Sequence, residues 1–237
     1  MIELKNLSIA FDSNKLLDKV STEFSPHSLT AVIGRNGSGK STLLKAISGL
    51  NRQYEGDIFI DQENLKSISR GSLAKKISFV NTQRPRISNL RCKDVVSLGR
   101  TPYTGWDGRI NKKDQEIIEK AIEIIGMKEY SDRYFNSLSD GESQKIMIAR
   151  AIAQDTPIMI LDEPTSFLDL PTRYELAKLL KKLSTEEGKT ILFSTHELDI
   201  ALKFADNIAL VDDKKIINLP SQKMQESHYL SQAFPER

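Results

Sequence analysis

One loop constrains the fold of this chain more than any other feature. Residues 34–41 read Gly-Arg-Asn-Gly-Ser-Gly-Lys-Ser, which fits the pattern G-x-x-x-x-G-K-[ST] at every fixed position. The loop follows an apolar run, Leu29 to Ile33, that is typical of a buried strand. Apolar residues at helical spacing follow it from Ser41 to Leu50. A strand, a glycine loop and a helix in direct succession predict an α/β fold around an anion-binding loop.

The residue types of this loop suit a polyphosphate. Glycines let backbone N–H groups turn inward, and the helix presents its positive N-terminal end to the same anion. Lys40 adds a compact positive charge, and the Ser41 hydroxyl is placed to bind Mg²⁺. The predicted phosphate ligands are Gly34, Arg35, Asn36, Gly37, Ser38, Gly39, Lys40, Ser41 and Thr42.

The rest of the chain supports a parallel sheet. Pro157 to Leu161 and Thr190 to Ser194 are apolar runs typical of buried strands. Between them, Pro171 to Glu187 carries leucines at helical spacing and stops at Gly188. Strand, helix and strand in this order predict parallel strands joined by right-handed crossovers.

Two other regions follow different patterns. Ile2 to Phe24 and Gly56 to Ile60 alternate apolar and polar residues, which predicts an antiparallel β region. From about Pro85 to Gln154 helical spacing dominates, which predicts an inserted helical region. The sequence thus predicts one domain over 1–237, with an α/β core in 1–84 and 156–237 and a helical subdomain in 85–155. No further C-terminal domain is expected after about Leu219.

Composition excludes several classes of protein. The formal net charge is +2, which is weak for a dedicated nucleic-acid binder, so no nucleic-acid partner is expected. No run approaches 18 apolar residues, and the start of the chain lacks the pattern of a signal peptide. The single cysteine, Cys92, excludes an internal disulfide. These observations favour a soluble, cytoplasmic protein.

Two carboxylates end the second apolar run. Asp162 and Glu163 follow Leu161, at the kind of strand end where parallel sheets bind ligands. The aspartate is placed to orient Mg²⁺, and the glutamate to act as a general base on water that attacks the γ-phosphate. The alternative is a pair of solvated carboxylates at the start of a loop.

At this point the residues resemble those of the ATP-binding-cassette family over nearly the whole chain. The family's signature, of the type LSGGQ, has its counterpart in Leu138 to Glu142. Ser139 and Gly141 match that signature, whereas Asp140 and Glu142 depart from its commonest form. The resemblance implies a P-loop NTPase (RecA-like) core with an antiparallel β subdomain and an inserted α-helical subdomain.

The remaining family elements fall in order along the chain. Gln83 resembles the glutamine that senses Mg²⁺ and faces a membrane partner, and Asp169 lies in a segment that resembles the D-loop crossing between subunits. His196 resembles the switch histidine that contacts the γ-phosphate, and Phe11 the aromatic that stacks on adenine. Each is weak alone, since a lone histidine after a strand is more often a surface residue and a lone phenylalanine more often core.

The resemblance implies that two copies pair head to tail and trap two molecules of ATP, with Mg²⁺, between them. The phosphate loop of one copy would face Ser139, Gly141 and Glu142 of the other. Lys40, Glu163 and His196 would be catalytic, whereas Ser41, Gln83 and Asp162 would hold the metal.

The segment from Leu98 to Arg109 resembles ATPases of importers for ferric siderophores, haem and cobalamin. That branch works with a permease dimer and, indirectly, an external binding protein, which would place this chain peripherally on the cytoplasmic face of the inner or plasma membrane. Iron chelate or haem is the first expected cargo and cobalamin the second. A soluble cassette that acts on ribosomes or DNA and a cassette that binds without turnover are the competing hypotheses.

Asn111 to Asp114 spells N-K-x-D, a pattern that reads guanine in small GTPases. A turn-rich loop precedes it instead of a buried strand, so we interpret Asn111 as a helix N-cap with Asp114 in the first turn.

Overall fold

Two β-sheets and a set of helices make up the chain in the computed structural model, which describes residues 1–11, 14–82, 89–105 and 108–234. The strands within these residues are β1 (Ile2–Phe11), β2 (Asn14–Phe24), β3 (Leu29–Ile33), β4 (Glu55–Ile60), β5 (Glu63–Asn64), β6 (Ile77–Val80), β7 (Ile158–Leu161), β8 (Thr190–Ser194), β9 (Asn207–Asp212) and β10 (Lys215–Pro220). The α-helices are α1 (Lys40–Ile47), α2 (Arg70–Ala74), α3 (Cys92–Ser97), α4 (Lys112–Ile124), α5 (Asp140–Ala153), α6 (Leu170–Glu186), α7 (Leu198–Phe204), α8 (Ser221–Glu226) and α9 (Tyr229–Ala233).

The larger sheet has six strands in the order β10-β9-β3-β8-β7-β6. Its strands are parallel except for β10, which runs antiparallel to β9. The three apolar runs predicted as buried strands are β3, β7 and β8, and all of their residues are buried. The parallel α/β prediction is therefore confirmed.

The smaller sheet is antiparallel, with the order β2-β1-β4-β5. It contains the two segments predicted from alternating residues, with Ile2 opposite both Phe24 and Ile60. This part of the sequence prediction is also confirmed.

Between the strands β6 and β7, the described residues form helices. α3, α4 and α5 pack on one another, and short 3₁₀ segments connect them at Leu98–Tyr103, Lys128–Tyr130 and Phe135–Ser137. The Asn111 side chain accepts a hydrogen bond of 2.9 Å from the Asp114 amide, so the predicted N-cap of α4 is confirmed.

Two apolar cores lie on opposite faces of the six-stranded sheet. Leu29, Ala31 and Ile33 of β3 point into a core shared with α3 to α6. Val32 points into the other core, which the antiparallel sheet and α1 complete. This alternation follows from the strand period of two residues.

The structure differs from the sequence prediction at the end of α1. α1 ends at Ile47 rather than Leu50, because Gly49 adopts a φ of 74° and Leu50 is exposed. Beyond Leu219, two short helices bury Met224 and Ala233 in the first core.

Candidate nucleotide-binding site

Three loops converge at the carboxyl ends of adjacent parallel strands. β3, β8 and β7 are neighbours, so the loops that follow them meet at one edge of the sheet. A cavity of about 750 Å³ lies there. It is lined by Phe11, Asn14, Leu16, Asn36, Gly37, Gly39, Lys40, Ser41, Thr42, Glu163 and His196.

The glycine loop is shaped by two close approaches. Gly34 has a φ of 151°, and a Cβ on it would lie 2.4 Å from the Val211 carbonyl oxygen, so only glycine fits. Gly39 caps α1 in the left-handed conformation, with a φ of 104°. The loop therefore bends tightly and ends on the N-terminus of a helix, the arrangement that binds anions.

Lys40 closes this loop from within. Its Nζ donates to the carbonyl oxygens of Gly34, at 2.8 Å, and Arg35, at 3.0 Å. Burial lowers the pKa of Lys40, whereas the nearby carboxylates of Glu163 and Asp162 raise it. The ammonium group thus sits at the cavity wall, where its present acceptors are weak neutral carbonyls.

The nine predicted phosphate ligands divide into two groups. Six of them line the cavity, namely Asn36, Gly37, Gly39, Lys40, Ser41 and Thr42. Gly34, Arg35 and Ser38 do not line the cavity. The Arg35 Nε donates to the Ala233 carbonyl oxygen at 2.7 Å, which attaches the loop to α9 near the end of the described chain.

Asp162 is the buried acceptor at the base of the site. Its Oδ1 accepts hydrogen bonds from Ser41 Oγ and Ser194 Oγ, both at 2.8 Å, and its side chain is almost fully buried. Thr82 Oγ1 donates to its backbone oxygen at 2.8 Å. A serine hydroxyl and a carboxylate oxygen in contact are hard oxygen donors of the kind that Mg²⁺ prefers.

Glu163 has a strained backbone and a side chain on the cavity wall. Its φ of 48° is unusual for a residue other than glycine, and such strain is concentrated at functional sites. Ser194 Oγ accepts a hydrogen bond of 2.8 Å from the Glu163 amide, and Ser166 Oγ donates one of 3.2 Å to Glu163 Oε2. His196 lines the same cavity and is exposed to it. The structure thus brings a carboxylate and an imidazole to the site of the predicted phosphates.

The first hairpin provides the other end of the cavity. Phe11 is 65% exposed, which contradicts a core role for its ring. It lies opposite Asn14 in the β1–β2 register, and Asn14 and Leu16 line the cavity beside it. An exposed aromatic ring at the mouth of a phosphate site offers a flat surface for a base.

Sequence reasoning missed Ser194, Asn14 and Leu16. Ser194 ends β8 next to the strand that carries Asp162, and a polar residue at that strand end was the available signal. Asn14 and Leu16 carry no motif, because their proximity to the glycine loop comes from sheet packing: Leu16 Cβ would lie 3.1 Å from a Cβ on Gly39.

The signature residues lie in a second depression that shares no lining residue with the first. It is lined by Ser139, Asp140, Gly141, Glu142, Lys145, Phe167, Leu168, Asp169 and Thr172. Ser139 caps α5: its amide and its hydroxyl both donate to Glu142 Oε2 at 2.8 Å. These contacts lower the pKa of Glu142. This depression thus contains four of the predicted nucleotide-binding residues: Ser139, Gly141, Glu142 and Asp169. It is separate from the cavity that the phosphate loop of the same chain lines.

A third groove, of about 590 Å³, is lined by residues of α2, β6 and α5 and by residues that follow α1. Leu50, Met147 and Phe79 contribute apolar surface, and Arg52, Arg70 and Arg150 contribute charge, while its described lining contains no acidic residue. Arg150 donates to the Phe79 carbonyl oxygen at 3.1 Å, and its Nε is buried without a partner among the described residues.

The predicted metal ligand Gln83 lies outside the described residues.

Comparison with known proteins places these features in one family. The sequence profile of the ABC transporter family matches residues 17–166. The chain is 34% identical over 215 residues to the petrobactin import ATP-binding protein FpuD of Bacillus anthracis, covering 91% of this chain and 79% of that protein. It is 34% identical over 204 residues to the iron(3+)-hydroxamate import ATP-binding protein FhuC of Bacillus subtilis, covering 86% and 76%.

Solved structures agree with this similarity. An inward-facing metal-chelate type ABC transporter superposes with a TM-score of 0.85 at 26% identity, covering 98% of this chain and 88% of that one. A dimeric ATP-binding cassette bound to ADP and phosphate superposes with a TM-score of 0.83 at 28% identity, covering 93% and 99%.

Proposed function

Since this chain belongs to the ABC transporter family, we propose that it is the ATP-hydrolysing subunit of an importer for iron chelates. The observation that carries the proposal is one cavity in which the phosphate loop, Glu163 and His196 meet. The relatives FpuD and FhuC are ATP-binding proteins of petrobactin and iron(3+)-hydroxamate import, which supports iron chelate as the cargo.

In this proposal ATP lies along the cavity from Phe11 to Glu163. The adenine stacks on the exposed ring of Phe11, and the phosphates lie on the loop amides. Lys40 exchanges its two carbonyl acceptors for phosphate oxygens, which are stronger acceptors for an ammonium group. Binding therefore turns an internal contact of the loop into a contact with substrate.

Ser41 and Asp162 would hold Mg²⁺, together with Gln83. A magnesium ion held there would supply positive charge that offsets the charge developing on the phosphates. The described residues offer no cluster of three or more His, Cys, Asp or Glu side chains that could hold a metal alone. A site with few protein ligands suits Mg²⁺, which keeps several waters and uses substrate phosphates.

Glu163 is proposed as the general base. The hydrogen bonds from Ser166 to its carboxylate and from its amide to Ser194 fix its orientation. The carboxylate then orients a water molecule and accepts its proton as the water attacks the γ-phosphate. His196 contacts the γ-phosphate from the loop after β8.

Two copies are needed to complete each site in this proposal. Ser139, Gly141 and Glu142 line a depression that is separate from the cavity of their own chain, so in this proposal they meet ATP across an interface. The proposed assembly is a head-to-tail homodimer in which Asp169 and its neighbours cross between the copies. ATP binding closes the dimer, and hydrolysis lets it open.

The proposed membrane partner is a permease, with an external binding protein acting through it. Permease subunits would dock in the groove lined by Leu50 and the three arginines, between a core of residues 1–84 and 156–237 and a helical subdomain of 85–155. In the described part of the chain no helix is long and apolar enough to cross a membrane. We place the chain peripherally on the cytoplasmic face, where it would contact the permease.

The test is deletion of the gene in its host, with growth measured on ferric chelate, haem or cobalamin as the source of iron or corrin. The proposal predicts a defect on ferric chelate that wild type rescues and Glu163→Gln does not. A defect confined to cobalamin would contradict the cargo, and equal rescue by Glu163→Gln would contradict the role of hydrolysis.

A further inference from the structure

Arg173 is a side chain that joins two loops. It lies in the first turn of α6, and its guanidinium group donates in two directions. Nε donates to the Leu168 carbonyl oxygen at 2.7 Å, and Nη1 donates to Glu197 Oε1 in an ion pair. Such a fork is specific to arginine, because lysine is a single point charge.

The first of these loops contacts the signature residues. A Cβ on Gly141 would lie 3.2 Å from the Phe167 carbonyl oxygen and 3.3 Å from Leu168 Cδ2. Phe167 has a φ of 67° and is 62% exposed, so the loop turns sharply at the surface. Residues 166–169 thus lie directly against the depression that would face a second copy.

The second loop carries His196. The Thr195 amide donates a hydrogen bond of 3.1 Å to the Val32 carbonyl oxygen of β3, which fixes one side of the turn. The Glu197 amide donates to Thr195 Oγ1 at 3.0 Å. The side chain of Glu197 fixes the other side through Arg173, so His196 lies between two anchored residues.

Glu197 depends on Arg173 for its placement. Its side chain is only 11% exposed, and its Oε2 has no hydrogen-bond partner among the described residues. A carboxylate removed from water requires a cation nearby, and Arg173 is the cation that contacts it in the described structure. Loss of the guanidinium group would drive Glu197 outward and move the turn that holds His196.

We propose that Arg173 is a positioning residue that sets His196 relative to residues 166–169. It links the face that meets the second copy to the nucleotide cavity of its own chain. The inference rests on the proposed ATPase function and adds a residue to it.

The test compares Arg173→Lys with wild type in steady-state ATP hydrolysis by the full chain. Lysine keeps the charge but cannot bond both loops, so kcat should fall about tenfold, the effect of one charge-assisted hydrogen bond at a partly exposed position. KM for ATP should change less than about twofold, because the phosphate loop is untouched. Glu197→Gln removes the other charge of the ion pair and should likewise lower kcat with little change in KM. Arg91→Lys is the matched control, because Arg91 also bonds a carbonyl oxygen and a carboxylate, both of Asp132, with 46% of its side chain exposed.

A cycle with His196→Ala separates positioning from general structure. If Arg173 acts through His196, Arg173→Lys should lower kcat little further in the His196→Ala background. Additive losses, or a KM that rises as much as kcat falls, would overturn the inference. If Glu163→Gln and His196→Ala both kept wild-type turnover, the proposed function itself would fail, which is a distinct result.

Discussion

The buried pair of Arg100 and Asp114 gives the sharpest prediction about stability. Arg100 Nε donates to Asp114 Oδ1 at 2.8 Å, and the two side chains are only 7% and 5% exposed. The pair joins the 3₁₀ segment Leu98–Tyr103 to α4. Asp114→Asn would leave a buried guanidinium group without its counter-charge.

The expected cost follows from the burial. Removing one partner of a buried ion pair costs about 3–5 kcal/mol. Arg100 keeps a bond of 2.9 Å to the Ala153 carbonyl oxygen and a stacking contact with Tyr103, so we expect the lower end, about 3 kcal/mol. For a chain of this size that corresponds to a fall in Tm of about 6–12 °C.

Urea and thermal unfolding, followed by circular dichroism, measure this directly. Asp132→Asn is the matched control, because Asp132 pairs with Lys93 at the surface with 69% of its side chain exposed. That variant should unfold at nearly the same urea concentration and temperature as wild type. If Asp114→Asn were as mild as the control, the pair would be hydrated and the reasoning from burial would be wrong.

Three further predictions concern the binding surfaces. Arg35→Ala removes the bond to Ala233 and should raise KM for ATP about three- to tenfold with a smaller change in kcat; an unchanged KM in steady-state assays would refute this. Glu142→Gln removes a carboxylate beside the proposed phosphate position, and should lower the ATP concentration at which the chain dimerises in sedimentation experiments; weaker dimerisation would contradict it. The pKa of Glu142 is lowered in the folded state, so its contribution to stability is present above its unfolded pKa and is lost as the pH falls through its folded pKa. Because glutamine does not titrate, the free energy of unfolding of Glu142→Gln should fall less than that of wild type as the solution is acidified. Leu50→Glu places a carboxylate in the arginine-lined groove and should reduce co-purification with the permease without lowering Tm; undiminished co-purification would exclude this groove as the docking surface.

Much of the fold was predictable because local pattern and global structure agree. The strands β3, β7 and β8 are uniformly apolar, so their burial was evident without neighbours. The order of strand, glycine loop and helix predicted Lys40 at the anion site, and the carboxylates after β7 predicted Glu163 there, whereas His196 was expected only from the family resemblance.

Other contacts could not be predicted, because they join residues that no pattern relates. Arg35 meets Ala233 across 198 positions, and Arg173 meets Glu197 across 24. Asp114 was interpreted correctly as a first-turn residue of α4, but its side chain also holds a buried arginine, which only packing reveals. Gln83 remains a prediction from resemblance.

The most direct test of the account is Glu163→Gln in the purified chain, with ATP and Mg²⁺. We expect the variant to bind ATP, to hydrolyse it at least about a hundredfold more slowly, and to form a stable dimer in sedimentation experiments. Wild-type turnover would contradict the role of Glu163. A variant that binds ATP but stays monomeric at saturation would contradict the two-copy site.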